Sequence, residues 1–178
     1  MSVFTNPAGR SIENARVYVA AILDLLGDRN PLDVLGATPS ALEDALEGLS
    51  PAQIVTPEAP GKWAVRDVVQ HLADSELVWA YRLRLVLAED RPALTGYDQD
   101  RWAERLHYAE SHPREALDEF HVLRRANLRL LERASPQDLE RVGVHGERGD
   151  ESLAHMVRLY AGHDLLHLQQ IKRIGEAV

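Results

Sequence analysis

The chain has 178 residues, of which 45% are hydrophobic and 27% charged, with a formal charge of −8 and no Cys. That length suits one domain over residues 1–178 with a real core, and the acidic balance argues against broad nucleic-acid binding, which needs a positive face. Without Cys there are no disulfides, thiolate ligands or cysteine nucleophile, so a bound metal must use His, Asp, Glu and water.

Met1 to Arg10 lacks the apolar core of a signal peptide. No apolar run approaches the ~20 residues that span a bilayer, so a cytoplasmic protein without a membrane partner is expected. From about Ser11 to Leu26, Ile12, Ala15, Val19, Ile22, Leu23 and Leu26 recur at helical spacing, and Gly27 is a natural stop. Asn30 to Gly36 reads as a turn because of Pro31 and Gly36, with a short helix following from Thr38 or Ser40 to near Gly48. Ser50 to Lys62, with three Pro and Gly61, reads as a connection with little regular structure.

A second long helix is expected from about Val65 to Ala88, ended by Arg91-Pro92. A short helix is expected from Asp98. A third long helix starts at Pro113, suited to a first turn, and runs to about Arg133. Ser135 to Asp150, with Pro136 and three Gly, reads as a loop. The last helix runs from about Ser152 to Arg173. Four long helices, long connections and no strand predict an all-α four-helix bundle with crossovers, a core able to hold side-chain metal sites.

His163 and His167 lie four apart on the last helix, on one face with Cβ atoms ~6 Å apart. Two imidazoles so placed suit one ion, each nitrogen at ~2.0–2.1 Å. Eight His in the chain yield roughly 0.35 such pairs by chance, so a third ligand must carry the case. His71 sits mid-helix beside the apolar stripe and would complete an open three-nitrogen set.

The stretches 62–75 (Lys62-Trp63-Ala64 through His71 to Ser75), 97–104 (Tyr97-Asp98-Gln99-Asp100-Arg101-Trp102-Ala103-Glu104) and 163–171 (His163-Asp164-Leu165-Leu166-His167-Leu168-Gln169-Gln170-Ile171) keep their order and spacing. In these the chain resembles the DinB/YfiT-like superfamily, most closely its YfiT-like metal-dependent hydrolases. The resemblance implies a four-helix bundle and one divalent metal on His71, His163 and His167, with zinc or nickel expected first and iron or manganese as alternatives. Relatives often carry Ser or Thr after the Trp as a helix cap; Ala64 departs from that, at a cost of ~1 kcal/mol.

Around the ligands, Asp74 is three residues after His71 and placed either to hold a second ring nitrogen or to face water. Arg82 is eleven residues beyond His71, close to three turns, and shares its face. It suits a substrate carboxylate, or else a salt bridge or a snorkelled surface position. Ser75 lies on the same stripe. Tyr97 and Trp102 either form a lid or pin the crossover to the bundle. His107, His112, His121 and His145 are expected to be solvated, and His155 is turned ~80° away from the pair.

No HExxH-type glutamate accompanies the His pair, so no general base is assigned. A hydrolase of a small-molecule substrate is the first expectation. The resemblance also implies alternatives: a transferase or isomerase using a low-molecular-weight thiol such as bacillithiol or mycothiol, or a non-catalytic stress-related metal- or ligand-binding bundle. It further implies a homodimer.

Overall fold

The computed structural model describes the backbone of residues 12–177 and the side chains of residues 15–177. Ser11, the Ile12 side chain and the Met1 to Arg10 stretch lie outside the described residues. The long helices are α1 (Ile12–Leu26), α2 (Pro31–Glu47), α4 (Val65–Ala88), α6 (Pro113–Leu131) and α8 (Leu153–Ala177). Short helices α3 (Pro51–Val55), α5 (Gln99–Arg105) and α7 (Pro136–Leu139), with a 3-10 turn at Tyr108–Glu110, punctuate the connections. None of the described helices is long and apolar enough to cross a membrane.

The bundle is the ring α2–α6–α4–α8, and α1 packs along the outside of α8. This corrects the expectation of a turn over residues 30–36, of which 31–36 are helical. Asn30 caps α2 by accepting from the Leu32 N–H, and Pro31 occupies the first turn, where a missing N–H costs nothing. The helix also continues through Pro39. Proline there removes the N–H that would reach the Leu35 carbonyl. The buried Arg124 guanidinium donates to that carbonyl instead, at 2.9 Å. A contact from another helix therefore sustains α2, and a local reading has no access to it. Residues 51–55, expected to be irregular, form α3 under a Ser50–Gln53 capping box.

Two apolar clusters fill the ring. The first joins Val65, Val68, Val69 and Leu72 of α4 and Leu117 and Phe120 of α6 with Leu42, Leu46, Ile171 and Ile174. The second joins Trp79, Leu83, Val86 and Leu131 with Leu35, Leu153, Met156 and Val157. Hence α4 and α6 run in one direction and α2 and α8 in the other. Residues 89–112 must cross the bundle's length to bring α6 back to the start of α4. Residues 132–152 stay at one end.

Those two connections meet in a small sheet, which replaces the loop expected over 135–150. β1 (Ala93–Leu94) pairs in parallel with β2 (Val142–His145), and β2 pairs antiparallel with β3 (Gly149–Ser152). Arg141 anchors the sheet by donating to the Val86 and Glu89 carbonyls at the end of α4, which would otherwise lack partners. Ala64 is the uncapped start expected of α4, but the Asp67 carboxylate accepts its buried N–H at 2.8 Å, which satisfies one of the donors left open at the helix start.

Candidate metal centre

Between the apolar clusters lies a polar layer. There α4 supplies His71 and α8 supplies His163 and His167. The Nε2 atoms of His71 and His163 are 3.2 Å apart, and those of His163 and His167 are 3.1 Å apart. The three donor atoms lie within 4.8 Å of one another. Three nitrogens at ~2.0–2.1 Å from one tetrahedral ion would be about 3.3 Å apart, so the set fits a single divalent ion. As a hydrogen-bond cluster it is poor, because three facing ring nitrogens have too few protons to share. His155 is not part of the cluster.

Local contacts fix the ring chemistry. The Nδ1–H of His167 donates to Gln170 Oε1 at 2.8 Å, leaving its Nε2 as a lone pair aimed at the centre. Burial, then the neighbouring imidazoles, hold the pKa of His71 and His163 well below the ordinary histidine value. Burial draws His167 down to about 4, against the opposing pull of Gln170 and Asp164. All three are therefore neutral near pH 7, the form that ligates metal. Gln170 follows His167 by one helical turn, and in the sequence only that i+3 spacing signals its role.

Asp74 does not reach His71. It accepts from the hydroxyl of Tyr108, a residue of the crossover, at 2.5 Å. The buried Nδ1 of His71 has no partner among the described residues, and the Trp63 ring covers it at 5.0 Å between centroids. Ser75 Oγ lies 3.4 Å from His71 Nε2 and 2.7 Å from the Tyr97 hydroxyl. Trp102 packs on the Tyr97 ring, centroids 4.4 Å apart.

A cavity of about 80 Å³ opens beside His163, with Ser75, Tyr97, Arg82, Tyr160 and His145 in its wall. The crossover supplies Tyr97 and the sheet supplies His145. His145 is thus only 2% exposed, contrary to the solvated loop position expected for it. His121 is half-buried beside Glu43, 3.6 Å away. Arg82 is 6% exposed and faces this cavity rather than the surface.

The carboxylates closest in sequence are engaged elsewhere. Arg124 donates to both Glu76 and Asp164, at 2.6 to 3.1 Å, and Asn127 donates to Glu76 at 2.8 Å. Burial alone would lower the guanidinium pKa, but the two carboxylates outweigh it and raise it. No described carboxylate hydrogen-bonds to the three histidine rings.

Comparison with known proteins agrees with this architecture. A family model described as the DinB superfamily matches residues 35–171. A protein of Oceanobacillus iheyensis named "Putative metal-dependent hydrolase OB0782" is 35% identical over 134 residues, covering 75% of this chain and 77% of that one. A Bacillus mycoides protein, also named as a "Putative metal-dependent hydrolase", is 33% identical over 159 residues, 89% of this chain and 91% of its own length. The solved structure described as "YfiT from Bacillus subtilis is a probable metal-dependent hydrolase with an unusual four-helix bundle topology" superposes with a TM-score of 0.77 at 30% identity, over 82% of this chain and 84% of that one.

Proposed function

Since this chain belongs to the DinB superfamily, we propose that it is a metal-dependent hydrolase of a small-molecule substrate, its ion held by His71, His163 and His167. The observation that carries this reading is the convergence of three Nε2 atoms, those of buried His71 and His167 and of half-buried His163, the last of which lines a cavity. Three neutral nitrogens without thiolate suit zinc or nickel first, with iron or manganese as alternatives. When bound, such an ion supplies Lewis acidity toward a substrate oxygen and toward water.

The chain's own residues supply the rest. Burial raises the Tyr97 pKa, so its hydroxyl stays protonated. Through Ser75 or directly, that hydroxyl is placed to donate to an oxygen gaining negative charge next to the three rings. Trp102, packed on the Tyr97 ring, holds that hydroxyl in position.

One observation favours a second reading, transfer to a low-molecular-weight thiol. No described carboxylate is free at the rings to act as a general base, and a thiolate stabilised at the centre would need none.

The test begins with metal analysis of untagged protein. Wild type is expected to carry one equivalent and the His71→Ala/His163→Ala/His167→Ala variant none; equal metal in both ends the proposal. Metal-loaded protein is then offered ester and amide substrates with and without bacillithiol. Turnover without thiol supports the hydrolase, and turnover only with thiol supports the transferase. Tight metal binding with no turnover in either assay overturns both catalytic readings.

A further inference from the structure

The cavity next to the three histidines contains a cation that no described carboxylate pairs with. Arg82 is 6% exposed, and among the described residues its guanidinium hydrogen-bonds only to neutral groups: the Thr95 carbonyl, the Tyr160 hydroxyl at 3.4 Å and the His145 ring at 3.5 Å. Its Nε–H is buried without a partner among the described residues. A buried charge in that state is costly unless something pairs with it. Arg148, the other arginine of this wall, differs because Glu151 holds it in a two-bond pair at 2.6 and 2.9 Å.

The adjacent histidine adds a second donor. His145 Nδ1 accepts the Glu147 backbone N–H at 3.2 Å, so the neutral ring carries its proton on Nε2. That Nε2–H faces the Arg82 Nη2. Two donors directed at one another, beside an unused Nε–H, lack only an acceptor. The desolvated ring, further opposed by Arg148 and Arg82, stays neutral, so the Arg82–His145 pair carries one positive charge.

We propose that this corner is the anchor for a single carboxylate on the substrate, gripped by Arg82 with the Nε2–H of His145. The rest of the substrate then extends along Tyr160 toward His163. Tyr160 is fixed by stacking on Trp79, centroids 4.4 Å apart, and its ring lies 6.3 Å from that of His163. Ile22, Met156 and Leu159 give the cavity an apolar side. Its volume of about 80 Å³ has room for roughly half a dozen water-sized groups, which means a short carboxylic acid. One positive charge balances one carboxylate; a dianionic phosphate would leave excess negative charge beside Glu147. The substrate class is therefore small esters or amides that carry a carboxylate remote from the bond to be cleaved. This assignment rests on the hydrolase reading for its chemistry, while the anion corner itself does not.

Propionate is the probe, with propionamide as its uncharged isostere and methyl phosphate as the dianion. Binding is followed through the Arg82 Nε–H resonance of the full chain, metal-loaded and chelated, a readout that requires no variant. Propionate is expected to shift that resonance saturably in both states, with propionamide and methyl phosphate at least tenfold weaker. Arg82→Gln should weaken propionate at least tenfold and Arg82→Lys by a smaller factor, because lysine keeps the charge and loses the planar fork. Equal binding of propionamide, tighter binding of methyl phosphate, or an unshifted Arg82 resonance overturns the proposal. Saturable propionate binding without hydrolysis of carboxylate-bearing esters keeps the anchor and removes only the hydrolase reading.

Discussion

His167 Nδ1 lies 2.8 Å from Gln170 Oε1, one turn further along α8, and this contact determines which nitrogen of His167 faces the centre. Replacing Gln170 with Leu leaves the ring free to rotate and to take the other tautomer. Metal affinity is expected to fall about 10- to 100-fold, with the fold intact by circular dichroism. A competition titration against a chromophoric chelator measures the change; unchanged affinity would show that packing alone orients the ring.

The buried histidines make the metal-free protein sensitive to acid. His145 and His167 are held at about 4, and His71 and His163 lie well below the ordinary value. The unfolded chain regains the normal value near 6.5, so below that pH it binds more protons than the folded chain. Stability should therefore decline as pH falls from 7.5 to 5.5. Asp67, Asp74 and Glu76, raised chiefly by burial, act in the opposite sense and blunt the decline. Urea melts of chelated protein at the two pH values provide the measurement, and equal or greater stability at 5.5 contradicts it.

Arg124 sits in the core with 1% exposure, between Glu76 and Asp164 and over the Phe120 ring at 4.6 Å. Arg124→Met strands two buried carboxylates and frees the Leu35 carbonyl beneath Pro39. A loss of about 3–5 kcal/mol is expected, because breaking a buried ion pair from one side leaves charge uncompensated. Adding Glu76→Gln and Asp164→Asn should recover much of that loss. Chemical denaturation of the single and triple variants tests this; a single variant as stable as wild type rules it out.

Gly162 lies at a close approach of α1 to α8. A Cβ added there would stand 2.3 Å from the Ile22 carbonyl oxygen, a backbone atom unable to swing away. Gly162→Ala must push the helices apart and is expected to cost about 1–3 kcal/mol, despite the better helix propensity of alanine. A thermal melt with the same midpoint as wild type would show that α1 gives way freely.

What the sequence by itself determined was the set of local periodicities. The Val65–Ala88 stripe, the Pro113 start of α6 and the four-residue step from His163 to His167 all follow from 3.6 residues per turn, which needs no partner to be read. His71 joined the pair through the resemblance of its surroundings, since spacing cannot connect residues 92 positions apart. Tertiary structure decided the rest. Helix α2 survives Pro39 because Arg124, 89 residues away, takes the Leu35 carbonyl. His145 is buried because β2 pairs with β1 from the other connection. Asp74 turned to Tyr108, and Arg82 turned inward to a cavity. In each case a local preference was outweighed by a polar group's need for a partner once water is excluded, and that partner was supplied by chain remote in sequence.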